Sequence, residues 1–538
     1  MTMNAETCII TGTPTEIRAT TTYQVSATVQ GQTYQGSFSL TVSDCTGTLY
    51  KMVRTYKTNP EKEYFRIRDT SNDDILFEVE SGHSHSADKE WTKYLCISVE
   101  RFDVAFYSTA TNWYANSYFY MYYLLPDNEE EMILKGRYDN YNNNEQSHFF
   151  YRPSIHQSSN WFYMMGSVPA NWHNAETSGW QTGSRGSFPD STNKVQLYKQ
   201  TFTISSMENV MGVILSIRYK YGCVVYLNGH EAWRNRITGE LSATSMASES
   251  YTDVKYRIVT LPGKSIVTSS GESAKEFLKQ GTNVIAIAIV GMSAQTPKTS
   301  LFDATVRLMT NHPEGHLWEL GGTITGMYGP ASNAFDLDHS TNVYHPSCGS
   351  NSMIITLDND RREWISSIQI QNEVEYPYPG VGSFSLYGRN SDEDTWELIK
   401  AVSGLQYSSV GQKKRIYTAN CKPYNQFKFD NFVSSSSEEC NWGIQEIKLY
   451  TENLMQDLVP FTYPATIAVF KNVEMAEVIP EHTTGFYNFT VTPALPAGLQ
   501  ISRDSGWISG TATDVSSPAT YTVRATPIYG QEVSTTFT

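Results

Sequence analysis

The sequence predicts an all-β chain, a linear array of β-sandwich domains, on three observations. Short segments such as Glu63-Tyr-Phe-Arg-Ile-Arg68 and Ile75-Leu-Phe-Glu-Val79 alternate apolar and polar residues, the period of a half-buried strand. Composition agrees: 35 Tyr and 13% aromatics stand beside only 18% charged residues, a usage that suits pleated, half-covered surfaces. No stretch sustains a 3.6-residue apolar period, so no helix longer than about four turns is expected. At 538 residues the chain exceeds what one hydrophobic core supports, and length alone predicts roughly three to five domains.

Charge narrows the partners. The formal net charge is -15, with 40 Lys+Arg against 55 Asp+Glu, and the longest basic run is Lys413-Lys414-Arg415. Phosphate binding needs clustered cations, so nucleic acid and anionic membrane are excluded as expected partners. The most apolar run, Asn283–Met292, is far short of the roughly 20 residues a bilayer demands and reads as a buried strand. No membrane insertion is expected within this segment. The start, Met1-Thr-Met-Asn-Ala-Glu6, has neither the basic opening nor the apolar stretch of a signal peptide. A secreted protein lacking one is expected to continue upstream.

An internal repeat links the two ends. Ile10, Gly12, Thr13, Tyr23, Val25 and Ala27 match Ile508, Gly510, Thr511, Tyr521, Val523 and Ala525 at one constant offset. After a one-residue slip, Gly31, Gln32 and Phe38 match Gly530, Gln531 and Phe537. Tyr23, Val25 and Ala27 alternate as one face of a strand, and Gly12 marks the turn before it. The pattern around Leu495-Pro-Ala-Gly-Leu499, Trp507-Ile-Ser-Gly-Thr511 and Tyr521-Thr-Val-Arg-Ala525 resembles immunoglobulin-like modules found in tandem in large surface proteins. The resemblance implies that residues 1–43 are the C-terminal half of an Ig-like domain and 455–538 an Ig-like domain with its last strand incomplete. Strands equivalent to 455–498 are then expected to reach residues 1–43 from upstream sequence or from a neighbouring copy.

Residues 44–145 read as a β-sandwich of no recognised family. Its aromatic ribbon Asn116–Leu125 sends Phe119, Met121 and Tyr123 one way and Tyr118, Tyr120 and Tyr122 the other, as a strand sandwiched in a core would. His83 and His85 lie among loop formers and read as a solvated turn rather than a metal site.

In residues 146–312, Asn228-Gly229 between alternating residues signals a type I′ hairpin. The phrases Val225-Tyr-Leu-Asn-Gly229 and Gly281–Ile289 resemble galactose-binding-like jelly rolls attached to many extracellular enzymes and adhesins. Tyr219-Lys-Tyr221 stands where that family often has an acidic residue, so a spacer role is the expectation.

Residues 313–454 carry Ala334–Asn342, Ser383–Ser391, Thr395–Ile399 and Gly443–Tyr450, which together resemble the discoidin, or coagulation-factor C-type, domain. The resemblance implies an eight-stranded jelly roll whose loops at one end bind sugars, lipids or proteins. Carried over residue by residue, it implies Asp336, Asp338, Thr341 and Glu446 as ligands of Ca²⁺, and crowded oxygen donors with a distant carboxylate suit that ion. Leu337 and Val343 depart from the usual Gly and Trp of that pattern. Tyr328, Tyr344, His345, Tyr376, Tyr378 and Trp442 fall in predicted loops, where a ring can stack on a sugar face; Tyr328, Tyr344, His345 and Trp442 are the candidate ligand-binding residues.

The seven cysteines form no C-x-x-C pair or zinc-like cluster. Cys421 with Cys440, within one domain, is the first expected disulfide and Cys45 with Cys96 the second, while Cys223 reads as a buried free thiol. Asn488-Phe-Thr490 is a glycosylation sequon. No G-x-S-x-G, H-E-x-x-H, P-loop or dinucleotide-binding turn is present, so no enzyme is expected. These readings converge on a structural or adhesive extracellular or cell-surface protein, a repeat unit of a surface or filament glycoprotein. Its expected partners are other copies or repeats of itself, and glycans. The alternative is a non-catalytic, carbohydrate-binding accessory region of a large secreted glycoside hydrolase.

Overall fold

The structure is a computed structural model. It describes residues 2–3, 10–11, 18–42, 45–110, 113, 117–138, 146–157, 159–189, 193–208, 210–251, 253–265, 275–292, 302–310, 323–326, 330–336, 341–345, 352–372, 379–407, 409–418, 420, 422–451, 460–481, 486–503, 505–527 and 533–538. The chain is all-β, and apart from strands the described residues hold only short 3₁₀ turns.

The first sandwich faces two four-stranded sheets. One runs, in spatial order, Glu130–Gly136, Tyr118–Leu124, Thr48–Thr55 and Glu90–Ile97; the other runs Gln146–Tyr151, Arg101–Ser108, Glu63–Asp69 and Ile75–Val79. Between them Tyr50, Phe65, Phe102, Phe106, Phe119, Met121 and Tyr123 are fully buried. The aromatic ribbon thus splits by parity. Its Phe119–Met121–Tyr123 face fills the core, and Tyr118, Tyr120 and Tyr122 lie half-buried in a row on the outside, neighbouring ring centroids 6.1 and 6.4 Å apart. Cys45 and Cys96 are disulfide-bonded, with Cα atoms 5.5 Å apart. Closing a loop of that length limits the unfolded chain and contributes about 4 kcal/mol.

The junctions expected near 44, 313 and 455 lie outside the described residues. The one near 146 is displaced. Strand Gln146–Tyr151 pairs with Arg101–Ser108 in the first sandwich, because its Phe150 stacks on Phe102 and that core needs the strand as a wall. His83 and His85 also depart from a solvated turn. Their rings pack on Tyr56 and Trp91, and His85 Nδ1 meets the Tyr56 hydroxyl at 2.8 Å.

The second sandwich sets a six-stranded sheet (Gln181–Gly183, Trp161–Met165, Val195–Ile204, Gly281–Val290, Gly222–Leu227, His230–Asn235) against a three-stranded one (Lys255–Pro262, Val210–Tyr219, Asp303–Thr310). The turn at Asn228 and Gly229 has φ of 47° and 84°, the left-handed pair a type I′ hairpin requires. Cys223 is a fully buried free thiol in the central region of this core.

Beyond it, a five-stranded sheet (Thr323–Gly326, Met353–Thr356, Gln426–Ser434, Val381–Arg389, Glu397–Val402) faces Lys413–Tyr417, Ser367–Gln371 and Glu446–Tyr450, and the ribbon Val343–His345 with Trp442–Ile444 closes one end. The last module pairs Phe486–Thr492, Tyr521–Pro527 and Val533–Phe537 over a core of Phe461, Phe486, Phe489 and Ile508. At the other end of the chain, Arg18–Val29 and Gln32–Val42 form a two-stranded hairpin sheet.

Cys223 supplies a test of this packing. Burial pushes its thiol well above the usual range, and the thiolate is the reactive form. Iodoacetamide treatment of the native protein at pH 8, read by peptide mass, should leave Cys223 unmodified until denaturant is added. Labelling in the native state would contradict the core assignment.

Candidate functional site

Two regions concentrate candidate side chains: the closed end of the third module, residues 323–451, and a junction where three modules meet. At the first, the 3₁₀ turn Ala331–Ala334 delivers Asp336, whose carboxylate accepts the Thr341 hydroxyl at 2.8 and 3.0 Å. Gln445 donates its side-chain amide to the Thr341 carbonyl, and the Asn333 amide holds the Asn342 carbonyl at 3.2 Å. The turn is therefore tied to the strand that carries Glu446, which is 2% exposed and paired with Gln371. Asp336, Thr341 and the neighbourhood of Glu446 are brought together. Asp338 lies outside the described residues, as do Tyr328, Tyr376 and Tyr378.

Among the described residues, His345 and Trp442 do not form a stacking platform. His345 and Trp442 pair across a three-residue ribbon, their rings parallel at 5.6 Å, and both are buried. Trp442 also stacks on Phe432 and belongs to the core, so neither ring is open to a sugar. Tyr344, the neighbouring position of the ribbon and paired with Gly443, points the other way and is exposed.

Among the cysteines, Cys440 is disulfide-bonded, and Cys421, its expected partner, lies outside the described residues. Asn488 sits on strand Phe486–Thr492 at φ 57°, half-buried, its amide oxygen accepting Arg503 Nε at 2.9 Å.

The second region escapes sequence reading. Glu131, in the first sandwich, is fully buried. Its carboxylate pairs with Arg307 and accepts the Ser216 hydroxyl at 2.6 Å, both from the second sandwich. Arg361, from the third module, approaches it at 3.7 Å and pairs in turn with Glu363. The Glu363 carboxylate accepts the Thr260 hydroxyl at 2.8 Å. Backbone bonds run alongside: Arg362 N–H donates to the Ile258 carbonyl and Thr260 N–H to the Arg362 carbonyl, at 2.9 and 3.0 Å. The segment at Arg362 thus lies beside Val259 as a parallel bridge on an edge strand of the second sandwich. Glu129, two residues before Glu131, accepts the Tyr256 N–H at 2.9 Å.

Nearby, Tyr251 is clasped by cations. Arg257 and Arg236 stack on its ring at 3.3 and 3.5 Å, and Arg362 and Asn235 each donate to its hydroxyl at 2.8 Å. Burial pushes the Tyr251 phenol up, but Arg362, the hydrogen bond with Tyr219, Arg236 and Arg257 together pull it below the ordinary tyrosine value. A further joint ties the third module to the last one. Lys414 lies 4.4 Å over the Trp507 ring and 3.7 Å from Glu477. Burial draws its ammonium below its usual value, and Glu477 offsets part of that. One local signal existed for the junction: Asp303, Thr305 and Arg307 alternate with Ala304, Val306 and Leu308, yet both faces of this strand are buried.

Residues 459–538 match the family described as Putative Ig domain. No curated protein matches the chain. Among solved structures, the chain is similar to chitosan-binding module 1 from a chitosanase/glucanase of Paenibacillus sp. IK-5, at 13% identity over 26% of this chain and 99% of that one, TM-score 0.21. It is similar to the family 32 carbohydrate-binding module of Clostridium perfringens NanJ in complex with galactose, at 15% identity over 24% and 93%, TM-score 0.20. It is also similar to a Ruminococcus gnavus fucosidase in complex with fucose, at 17% identity over 26% and 27%, TM-score 0.21. The segment matched by the Putative Ig domain family model is the one whose strands Phe486–Thr492, Tyr521–Pro527 and Val533–Phe537 cover Phe461, Phe486 and Phe489.

Proposed function

We propose that this chain is a rigid, load-transmitting segment of a structural or adhesive extracellular protein, a repeat unit of a surface or filament glycoprotein. The observation that carries the reading is Glu131, a buried carboxylate whose partners come from two other modules. Modules linked only by flexible segments move freely, whereas a buried charge shared by three of them fixes their relative placement. Such a body holds its ends at a set separation, which is what a spacer or a filament unit has to do. Glycan contact, on this reading, falls to Tyr344, the exposed ring at the closed end of the discoidin-like module.

The same end is proposed to hold Ca²⁺ through Asp336, Asp338, Thr341 and Glu446. The donor chemistry fits: Asp336 and Thr341 converge through oxygen, Gln445 fixes the Thr341 carbonyl, and a carboxylate as desolvated as Glu446 favours a cation beside it. The ion would lend positive charge to that turn and stiffen it. Titration with CaCl₂ should raise the melting temperature, EDTA should reverse the rise, and Asp336→Asn should abolish it. An equal rise in Asp336→Asn, or none in the wild type, would remove calcium from the account.

Glu131 provides the test of the main proposal. Glu131→Ala leaves Arg307 and Arg361 buried beside a lost carboxylate, and breaking a buried pair in this way costs about 3–5 kcal/mol. Denaturant unfolding should show that loss, and limited proteolysis should begin to separate the modules. A variant as stable as the wild type, with its modules still resistant to separation, would refute the rigid-segment reading.

A further inference from the structure

Residues 82–88 of the first sandwich form a loop between strands Ile75–Val79 and Glu90–Ile97, laid over Tyr56 and Trp91. Backbone bonds pin its two ends: Gly82 N–H donates to the Glu61 carbonyl at 2.7 Å, and Asp88 N–H to the Tyr56 carbonyl at 2.9 Å. Between these pins the rings of His83 and His85 are half-buried, while Ser84 and Ser86 are exposed.

Hydrogen bonding fixes the charge that His83 carries in this arrangement. A carbonyl only accepts, so Nε2, 2.9 Å from the Glu63 carbonyl, holds the ring proton. A backbone N–H only donates, so Nδ1, 3.2 Å from the His85 amide nitrogen, presents its lone pair. One nitrogen protonated and one not is the neutral imidazole. A second proton has only Nδ1 to go to, and there it displaces the His85 N–H.

His85 is placed against a charge as well. Its ring centroid lies 4.4 Å from that of His83 and 5.1 Å from that of Trp91, and its Nδ1 meets the Tyr56 hydroxyl at 2.8 Å. The guanidinium of Arg54, fully buried, stands 4.5 Å from the Tyr56 ring centroid. Burial first, then His83 and Arg54, hold the His85 imidazole below its ordinary value. The Glu63 carboxylate is matched by Arg54 at 2.5 Å, and Lys57 pairs with Asp88 at 3.0 Å where the loop ends. Glu61, Lys62, Lys89 and Glu90, on the flanking segments, are exposed.

We propose that residues 82–88 are an acid-opened latch: while neutral, His83 and His85 hold the loop on Tyr56 and Trp91, and their protonation in mild acid releases it. The sign follows from linkage. A histidine held below its ordinary value binds fewer protons folded than unfolded. Its share of the stability is therefore complete above about pH 6.5 and is lost as pH falls through the depressed value. The loss falls on the loop, because the strands on either side keep their own ladders with Glu63–Asp69 and Thr48–Thr55. Release uncovers the rings of Tyr56 and Trp91.

Hydrogen exchange of the full chain, read by peptide mass with intrinsic rates corrected for pH, tests the latch. Between about pH 8 and about pH 5, a window above the ordinary carboxylate range, residues 82–88 should lose protection by at least about tenfold. Strands Thr48–Thr55 and Arg101–Ser108 should keep theirs over the same window. In a His83→Gln, His85→Gln double variant the ratio of protection between the two pH values should stay close to one. An unchanged ratio in the wild type, a loss in the double variant equal to that of the wild type, or a loss spread through both strands would overturn the proposal.

Discussion

A carboxylate removed from water has to find cations and hydrogen-bond donors, and Glu131 finds them on two modules other than its own. The remaining contacts at that junction follow from this one. Arg307 and Ser216 hold Glu131 from the second sandwich, and Arg361 brings the third module against both. Arg361 in turn fixes Glu363, which receives Thr260 from the edge strand that the Arg362 backbone extends. A buried network of this kind is weak evidence of added stability, since desolvation offsets much of the attraction. What it imposes is register: the modules meet in an arrangement that brings Arg307 and Arg361 to the one carboxylate.

The other joints are built differently. Strand Gln146–Tyr151 closes the first sandwich, and residues just beyond it bind the second: Ile155 exchanges backbone bonds with Val306, while Thr310 donates to the Phe149 carbonyl at 2.7 Å. Here the backbone itself is shared, and there is no hinge at the seam. The joint to the last module uses Lys414, whose ammonium is held by one carboxylate and one indole face.

What was legible in the sequence was local. Alternation placed the strands, parity sorted Phe119, Met121 and Tyr123 into the core, Asn228-Gly229 announced its turn, and Cys45 paired with Cys96, the second expected disulfide. What was not legible was non-local. Strand Gln146–Tyr151 follows an Asn-rich stretch that looks like a linker, and its partner Arg101–Ser108 lies some 45 residues earlier. His345 and Trp442 read as loop residues because a ribbon of three residues a side is too short for alternation to show. Glu131 closes an acidic run, Glu129-Glu-Glu131, and such a run usually means a solvated edge; only the arrival of two other modules buries its last member.

The central claim is that the three modules around Glu131 form one body, and small-angle X-ray scattering of the full chain across ionic strength tests it most directly. Exposed ion pairs are screened within about 10 Å at 0.1 M salt and about 3 Å at 1 M, while a network sealed from solvent is screened much less. The account predicts that a single arrangement of the modules fits the scattering from 0.05 to about 1 M NaCl, with no growth in radius of gyration. A profile that expands with salt, or that needs an ensemble of independently oriented modules at any salt, would contradict it.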